Sequence, residues 1–250
     1  MPDLLDFLIL FGVGTIAGII NVMAGGGSAL TMPTLIFLGL DSATANGTNR
    51  VAIFFNGLFA ALAFRREKVS RLRQSLTLAA FTLPGAIIGA IVAVRISDAW
   101  FQRILGIIMI GVVLSMLFSR YDKDGTTTTL EGTPSWLVYL ALFGIGFYGG
   151  FIQVGVGFLI MAALHHLLKM NLVYVNMHKA VIVLLYTVPT LLIFAWTGHI
   201  DWWLGLSLAA GNAFGGWWAA IWAVRKGEKV IRYVLIVAIL IMAAKLLGVF

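Results

Sequence analysis

An all-α polytopic membrane protein is the fold class this sequence predicts. It is built from two inverted repeats, each a broken, re-entrant-like helical hairpin followed by three transmembrane helices. Three observations lead there. Hydrophobic residues make up 61% of the 250 residues and charged residues only 11%, with a mean hydropathy of +1.00, a composition that soluble domains of this size do not have. Three consecutive glycines, Gly25 to Gly27, interrupt the first apolar stretch. Four short motifs then recur in the same order at an offset of about 130 residues.

Apolar segments fall at about 4–22, 28–40, 45–64, 74–94 and 100–119, and resume at about 136–153, 155–169, 175–196, 202–224 and 230–250. Their length rules out the alternating strands of an outer-membrane barrel, about 10 residues each. In the first hairpin a helix stops near Ala24, because glycine loses the most backbone freedom on becoming helical. Ser28 then stands where it can cap a short second helix to about Leu40, and Pro33 fixes the backbone in its first turns. Segments 28–40 and 155–169 are short for a crossing, which needs around 20 residues. The polar stretch Arg120 to Pro134 divides the chain. Residues 1–119 form the first repeat, 120–134 a cytoplasmic linker and 135–250 the second repeat.

The recurring motifs are A90-I-V-A-V-R95 with A220-I-W-A-V-R225, G14-T-I-A-G18 with G146-F-Y-G-G150, and the triple glycine with Q153-V-G-V-G157. The fourth pairs N46-G-T-N-R50 with N176-M-H-K179, one residue shorter. Loop charge makes the repeats inverted. Arg65 to Arg73 and Arg225 to Arg232 are rich in Lys and Arg, which marks them as cytoplasmic, whereas Thr197 to Trp203 carries no cation. Equivalent loops thus lie on opposite sides, and both termini fall outside. The hairpins re-enter or cross twice; sequence fixes only the parity. Trp100, Trp136, Trp196, Trp202 and Trp203 stand at segment ends, as an interfacial aromatic belt requires. Paired glycines (Gly14/Gly18, Gly85/Gly89, Gly146/Gly150, Gly211/Gly215) let helices approach closely.

Charge then points to chemistry. The net charge of +7 reads as basic cytoplasmic loops rather than nucleic-acid binding. With no cysteine in the chain, disulfides and thiolate chemistry are excluded. Asp3 and Asp6 stand where a signal peptide would be basic. All ten acidic residues fall at segment ends or in loops, which argues against a cation site or a carboxylate proton relay. The groups near the helix breaks are instead neutral or basic: Asn21, Gly25, Gly26, Gly27, Ser28, Thr48, Asn49 and Arg50 in one half, and Gln153, Gly155, Gly157, His178 and Lys179 in the other. An ionisable group at that depth costs roughly 2.5–3.5 kcal/mol and needs a partner. With no internal acid, a ligand anion fits, helped by the helix N-termini after Gly27 and Gly157. For Arg50 and Lys179 the competing reading is a loop cation that snorkels to the interface. His178 is a candidate proton carrier or a packing residue, and the triple glycine could be a simple turn. No Gly-Lys-Ser/Thr follows the glycines, which excludes a nucleotide loop. His165 and His166 lack metal-ligand partners at useful spacing.

The pattern A17-G-I-I-N-V-M-A-G-G-G-S28, then P33-T-L, then T48-N-R50, resembles the TauE/SafE sulfite exporter family, also called the toluene-sulfonate uptake permease family, over nearly the whole chain. The resemblance implies a multi-pass transporter of the cytoplasmic (inner) membrane. Its substrate would be a small sulfur-containing anion of the sulfite, sulfonate or sulfoacetate type. It carries over Asn21, Gly25 to Ser28, Thr48, Asn49 and Arg50 as substrate-binding positions. The expected function is secondary transport by alternating access, with no cofactor, no metal and no catalytic role. The expected partners are a small anion and the bilayer, with a coupling H⁺ or Na⁺ and a homodimer both compatible. Two rivals are a passive anion channel and a membrane-embedded enzyme using His165, His166 or His178.

Overall fold

The computed structural model describes residues 3–118 and 135–227. The expected linker at 120–134 and the last apolar segment at 230–250 lie outside the described residues. The rest is helical: α1 (Leu4–Met23), α2 (Ser28–Phe37), α3 (Ser42–Arg66), α4 (Leu72–Ala93), α5 (Asp98–Phe118), α6 (Trp136–Phe151), α7 (Val156–Leu168), α8 (Leu172–Trp196) and α9 (Trp202–Lys226). Helices α1, α3, α4 and α8 have the length and apolar composition to cross a membrane, while α2 and α7 span only about 15–20 Å. The chain is a multi-pass membrane protein. Large apolar side chains such as Leu4, Phe37, Ile107, Leu192 and Trp196 lie exposed around it, as a lipid-facing surface demands.

Both expected helix breaks are present. α1 ends where Gly25 takes a φ of +79°. α6 ends at a link in which Gln153 (φ +67°) and Gly155 (φ +73°) are both left-handed. Two details differ from expectation. Ser28 does not cap α2: Gly27 holds that position without a side-chain bond, and the Ser28 hydroxyl instead accepts from Asn49 Nδ2 at 3.2 Å. α7 starts at Val156, before Gly157, because Gly155 supplies the left-handed turn that redirects the chain. Several other helix starts carry a side-chain cap. Asp41 accepts from Thr44 N, Asn171 from Val173 N and Asp201 from Leu204 N.

The helices pair across the two halves. A Cβ on Gly14 or Gly18 would meet Leu208 O or Asn212 O at 2.6 Å, so α1 lies directly on α9. A Cβ on Gly146 or Gly150 would meet Thr82 O at 2.1 Å or Ala86 O at 2.0 Å, so α6 lies in the same way on α4. The return contacts match: Gly211 and Gly215 face Phe11 O and Thr15 O, and Gly85 and Gly89 face Phe143 O and Phe147 O. In both pairs the residue numbers rise together, so the helices run parallel. α3 and α8 run antiparallel, because Arg50 reaches Thr190 while Gly57 faces Ala180 and Leu184. These contacts equate α4 with α9 at 126 positions apart (Thr82 with Leu208), one helical turn from the offset of the A-I-x-A-V-R match. A shift of four residues leaves the same helix face in place.

Polar contacts tie the bundle at its two ends. At one, Ser42 N donates to Asp98 Oδ1 at 2.8 Å and Asp201 N donates to Thr48 Oγ1 at 2.9 Å. At the other, Arg225 pairs with Glu67 at 2.8 Å and holds its carboxyl below the usual carboxylate range. That pair brings together the two basic loops, as the charge pattern requires.

The two breaks meet at the centre. A Cβ on Gly25 would lie 2.2 Å from Phe158 N and 2.3 Å from Gly157 C, and one on Gly157 would lie 2.7 Å from Gly25 Cα. Gly25→Ala therefore combines a left-handed backbone with a main-chain collision and should cost at least about 3 kcal/mol. Gly26 has nothing within 4 Å of a built Cβ. Melting curves of detergent-purified protein should show Gly26→Ala near the parent and Gly25→Ala strongly destabilised or unrecoverable.

Candidate functional site

Each half places one cation about two turns inside its longest central helix, and each cation meets the broken helix of the other half. Arg50 on α3 is fully buried. Its Nη1 donates to Gly149 O (3.3 Å) and Thr190 Oγ1 (3.0 Å), and its Nη2 to Gly150 O and to Asn46 Oδ1 (3.4 Å). Asn46 Nδ2 donates in turn to Phe151 O at 2.8 Å. Three successive carbonyls at the end of α6 are thus satisfied by α3 side chains. The guanidinium also lies 4.7 Å from the centre of the Phe194 ring, a cation–π contact.

Lys179 on α8 is the counterpart, 4% exposed. Its Nζ donates to Val22 O, the penultimate carbonyl of α1, at 2.7 Å, to Asn176 Oδ1 at 2.7 Å and to Met161 Sδ at 3.2 Å. The chemistry of both positions follows from helix ends. The last carbonyls of a helix lack intrahelical donors and carry about half a negative charge, so a cation there is held without a carboxylate. The snorkelling alternative does not apply to either residue.

Beside Lys179 lies a cavity of about 10 Å³, room for about one water. Asn21, Asn56, Gly57, Gly157 and Lys179 are among its lining. Asn21 Nδ2 donates to Asn56 Oδ1 at 2.8 Å, and Asn56 Nδ2 donates to Gly18 O and Asn212 O. Sequence reasoning missed Asn56 and Asn212. Their signal was an amide in the middle of an apolar run, which in a bilayer marks a polar contact.

The remaining expected residues divide among three places. Gln153 lies with Arg50: it is buried, and it faces the Tyr186 hydroxyl without closing a well-formed bond. Ser28 and Asn49 join Thr31, whose hydroxyl donates to Asn49 Oδ1 at 2.6 Å, and this trio fastens α2 to α3. Thr48 and His178 face away toward the bundle ends, Thr48 accepting from Asp201 N and His178 Nδ1 lying 2.8 Å from Ser75 Oγ. Among the glycines, Gly25 and Gly157 touch each other, Gly27 packs on Ala17 O, Gly26 is open and Gly155 turns the chain into α7.

Arg50 and Lys179 do not lie together. Arg50 lies level with Thr190 on α8, which is eleven residues beyond Lys179, or roughly 16 Å along the helix. The arrangement is two polar stations on either side of the touching breaks.

The family model described as "Sulfite exporter TauE/SafE" matches residues 10–246. A Haemophilus influenzae protein named "Probable membrane transporter protein" is 30% identical over 244 residues, covering 95% of this chain and 93% of that protein. "Probable membrane transporter protein YfcA" of Escherichia coli is 29% identical, covering 96% of this chain and 88% of its own. "Probable membrane transporter protein YunE" of Bacillus subtilis is 28% identical, covering 85% of this chain and 86% of its own. No solved structure matches the chain significantly.

Arg50→Ala leaves Gly149 O, Gly150 O and Asn46 without their donors and opens a void, so it should destabilise by about 3–5 kcal/mol. Arg50→Lys keeps the charge with fewer donors and should fall between Ala and the parent. Thermal unfolding in detergent checks the order.

Proposed function

Because the chain belongs to the TauE/SafE sulfite exporter family, we propose that it is a secondary transporter of small sulfur-containing anions of the sulfite, sulfonate or sulfoacetate type. It works by alternating access across the cytoplasmic membrane, with both termini outside and the linker inside. The single observation that carries this reading is the cavity beside Lys179. There a buried ammonium meets two amides, Asn21 and Asn56, and its protein partners are neutral acceptors. A carboxylate partner would cancel the charge that an anion needs.

The substrate's oxygens take the place of neutral acceptors on Lys179 Nζ and bond to the second amide N–H of Asn21, whose first is held by Asn56 Oδ1. Charge-assisted bonds of this kind are about twice as strong as neutral ones. Gly157 lines the same cavity and lets the anion approach the main chain. Movement comes from one inverted repeat rocking against the other, with the Gly25–Gly157 contact as the barrier that must part. The direct touch of the two breaks favours this over a passive channel, which would keep its path open. A coupling proton, where one is used, is assigned in this reading to His178, whose Nδ1 is hydrogen-bonded to Ser75.

Lys179→Met keeps the chain's length and removes its charge. In proteoliposomes of matched folded protein, its uptake or efflux of labelled sulfite should fall at least about tenfold. Transport at the parent rate would remove Lys179 and the cavity from the mechanism.

A further inference from the structure

The contacts that relate the two halves also relate the surroundings of the two cations. Lys179 has Asn176 one turn before it as an acceptor, the penultimate carbonyl of α1 as a second, and the amides Asn21 and Asn56 across a cavity. Arg50 has Asn46 one turn before it, the penultimate carbonyl of α6, and then Gln153 and Tyr186. In the Lys179 station the two outer groups bond to each other. In the Arg50 station they do not, and their hydrogen-bonding capacity stands open. Arg50 Nε, both polar atoms of the Gln153 amide and the Tyr186 hydroxyl are all buried without partners.

These atoms share one neighbourhood. The Tyr186 hydroxyl lies 3.0 Å from a Cβ built on Gly149, the residue whose carbonyl accepts from Arg50 Nη1. Tyr186 and Gln153 are fully or almost fully buried. Buried polar groups are paired in more than about nine cases of ten, so three side chains left open together need an explanation. Three of the four open atoms carry hydrogens to donate, an Nε–H, an amide NH₂ and a phenolic O–H, while Gln153 Oε1 is an acceptor; they lie beside a guanidinium whose partners are neutral acceptors and the Phe194 face.

We propose that Arg50 Nε, Gln153 and Tyr186 form a second oxoanion station, distinct from the Lys179 cavity, on the path of the transported anion. Its ligand is a compact anion with three outward oxygens, such as sulfite or a sulfonate headgroup, so that each donor meets its own oxygen. The station rests on the transport reading above and deepens it: the anion passes from one cation to the other, held at each by a neutral pair on the opposite half. Gln153 sits in the link between α6 and α7 at a left-handed φ of +67°, so any motion of that hairpin carries one donor toward or away from Arg50.

The test is thermal stabilisation of the purified full chain in detergent by sodium sulfite, by methanesulfonate and by acetate, in the parent, Tyr186→Phe and Gln153→Met. Tyr186→Phe removes one hydroxyl and keeps the ring's packing. Without ligand it should melt at or above the parent temperature, because an unpaired buried polar group is gone. With sulfite, its half-saturating concentration should rise at least about tenfold, and Gln153→Met should behave likewise. Acetate, with two oxygens, should stabilise the parent less than sulfite. Parent affinity for sulfite in both variants overturns the station and leaves the Lys179 site standing, its donors then serving water. A parent protein that none of the three anions stabilises sinks both the station and the transport reading.

Discussion

Two positive side chains are held inside this bundle by the cut ends of helices that belong to the other half. Arg50 of α3 closes the end of α6, and Lys179 of α8 closes the end of α1. Breaking a helix within a bilayer exposes carbonyls that water cannot reach, and each bare group costs several kcal/mol. Burying a cation there is also unfavourable, by roughly 2.5–3.5 kcal/mol on insertion scales. Each problem is the other's remedy, since a hydrogen bond to a charged donor contributes about 1.5–3 kcal/mol and each cation makes several. The donor that completes each broken helix lies on the other half of the chain.

The glycine pairs follow from the same requirement. For a central helix of one half to reach the broken helix of the other, the outer helices must pack tightly across the halves. Gly14, Gly18, Gly146 and Gly150 remove the side chains that would keep α1 off α9 and α6 off α4. Their counterparts Gly211, Gly215, Gly85 and Gly89 do so from the other side. Apolar attraction between helices is weak in lipid, where the surroundings are as apolar as the interface. Close main-chain contact at small residues replaces it.

Much of this was legible in the residues. Three glycines and a Q-V-G-V-G sequence announce breaks because few residues tolerate the backbone angles seen at Gly25 and Gly155. Long apolar runs announce the spans. What the sequence did not carry was the identity of partners. Nothing in T-N-R says that Arg50 will find carbonyls a hundred positions away. Thr48 and Asn49, neighbours in that motif, diverge because adjacent helical residues point about 100° apart; one meets Asp201 and the other Ser28 and Thr31. Tyr186 drew no attention because a tyrosine among leucines and valines looks like packing. Only coordinates reveal that its hydroxyl has no partner. Asn56 was the readable omission, an amide deep in an apolar helix.

On the proposed transport reading, carbonyl ends suit the binding and release of an anion. A carboxylate beside Arg50 or Lys179 would hold the cation with a full opposite charge, and a monovalent oxoanion would have to displace an equal that never diffuses away. A helix end presents about half a charge. That is enough to keep the cation in the bilayer between visits and too little to neutralise it. An arriving anion therefore gains from a charge still largely available, and the carbonyls recover it when the anion leaves. Because each helix end sits on the opposite half of the chain from its cation, the relative motion proposed for the two halves would alter the geometry between cation and cap. Motion and affinity are then linked by the contacts that hold the fold together, and no separate gate is needed to connect them.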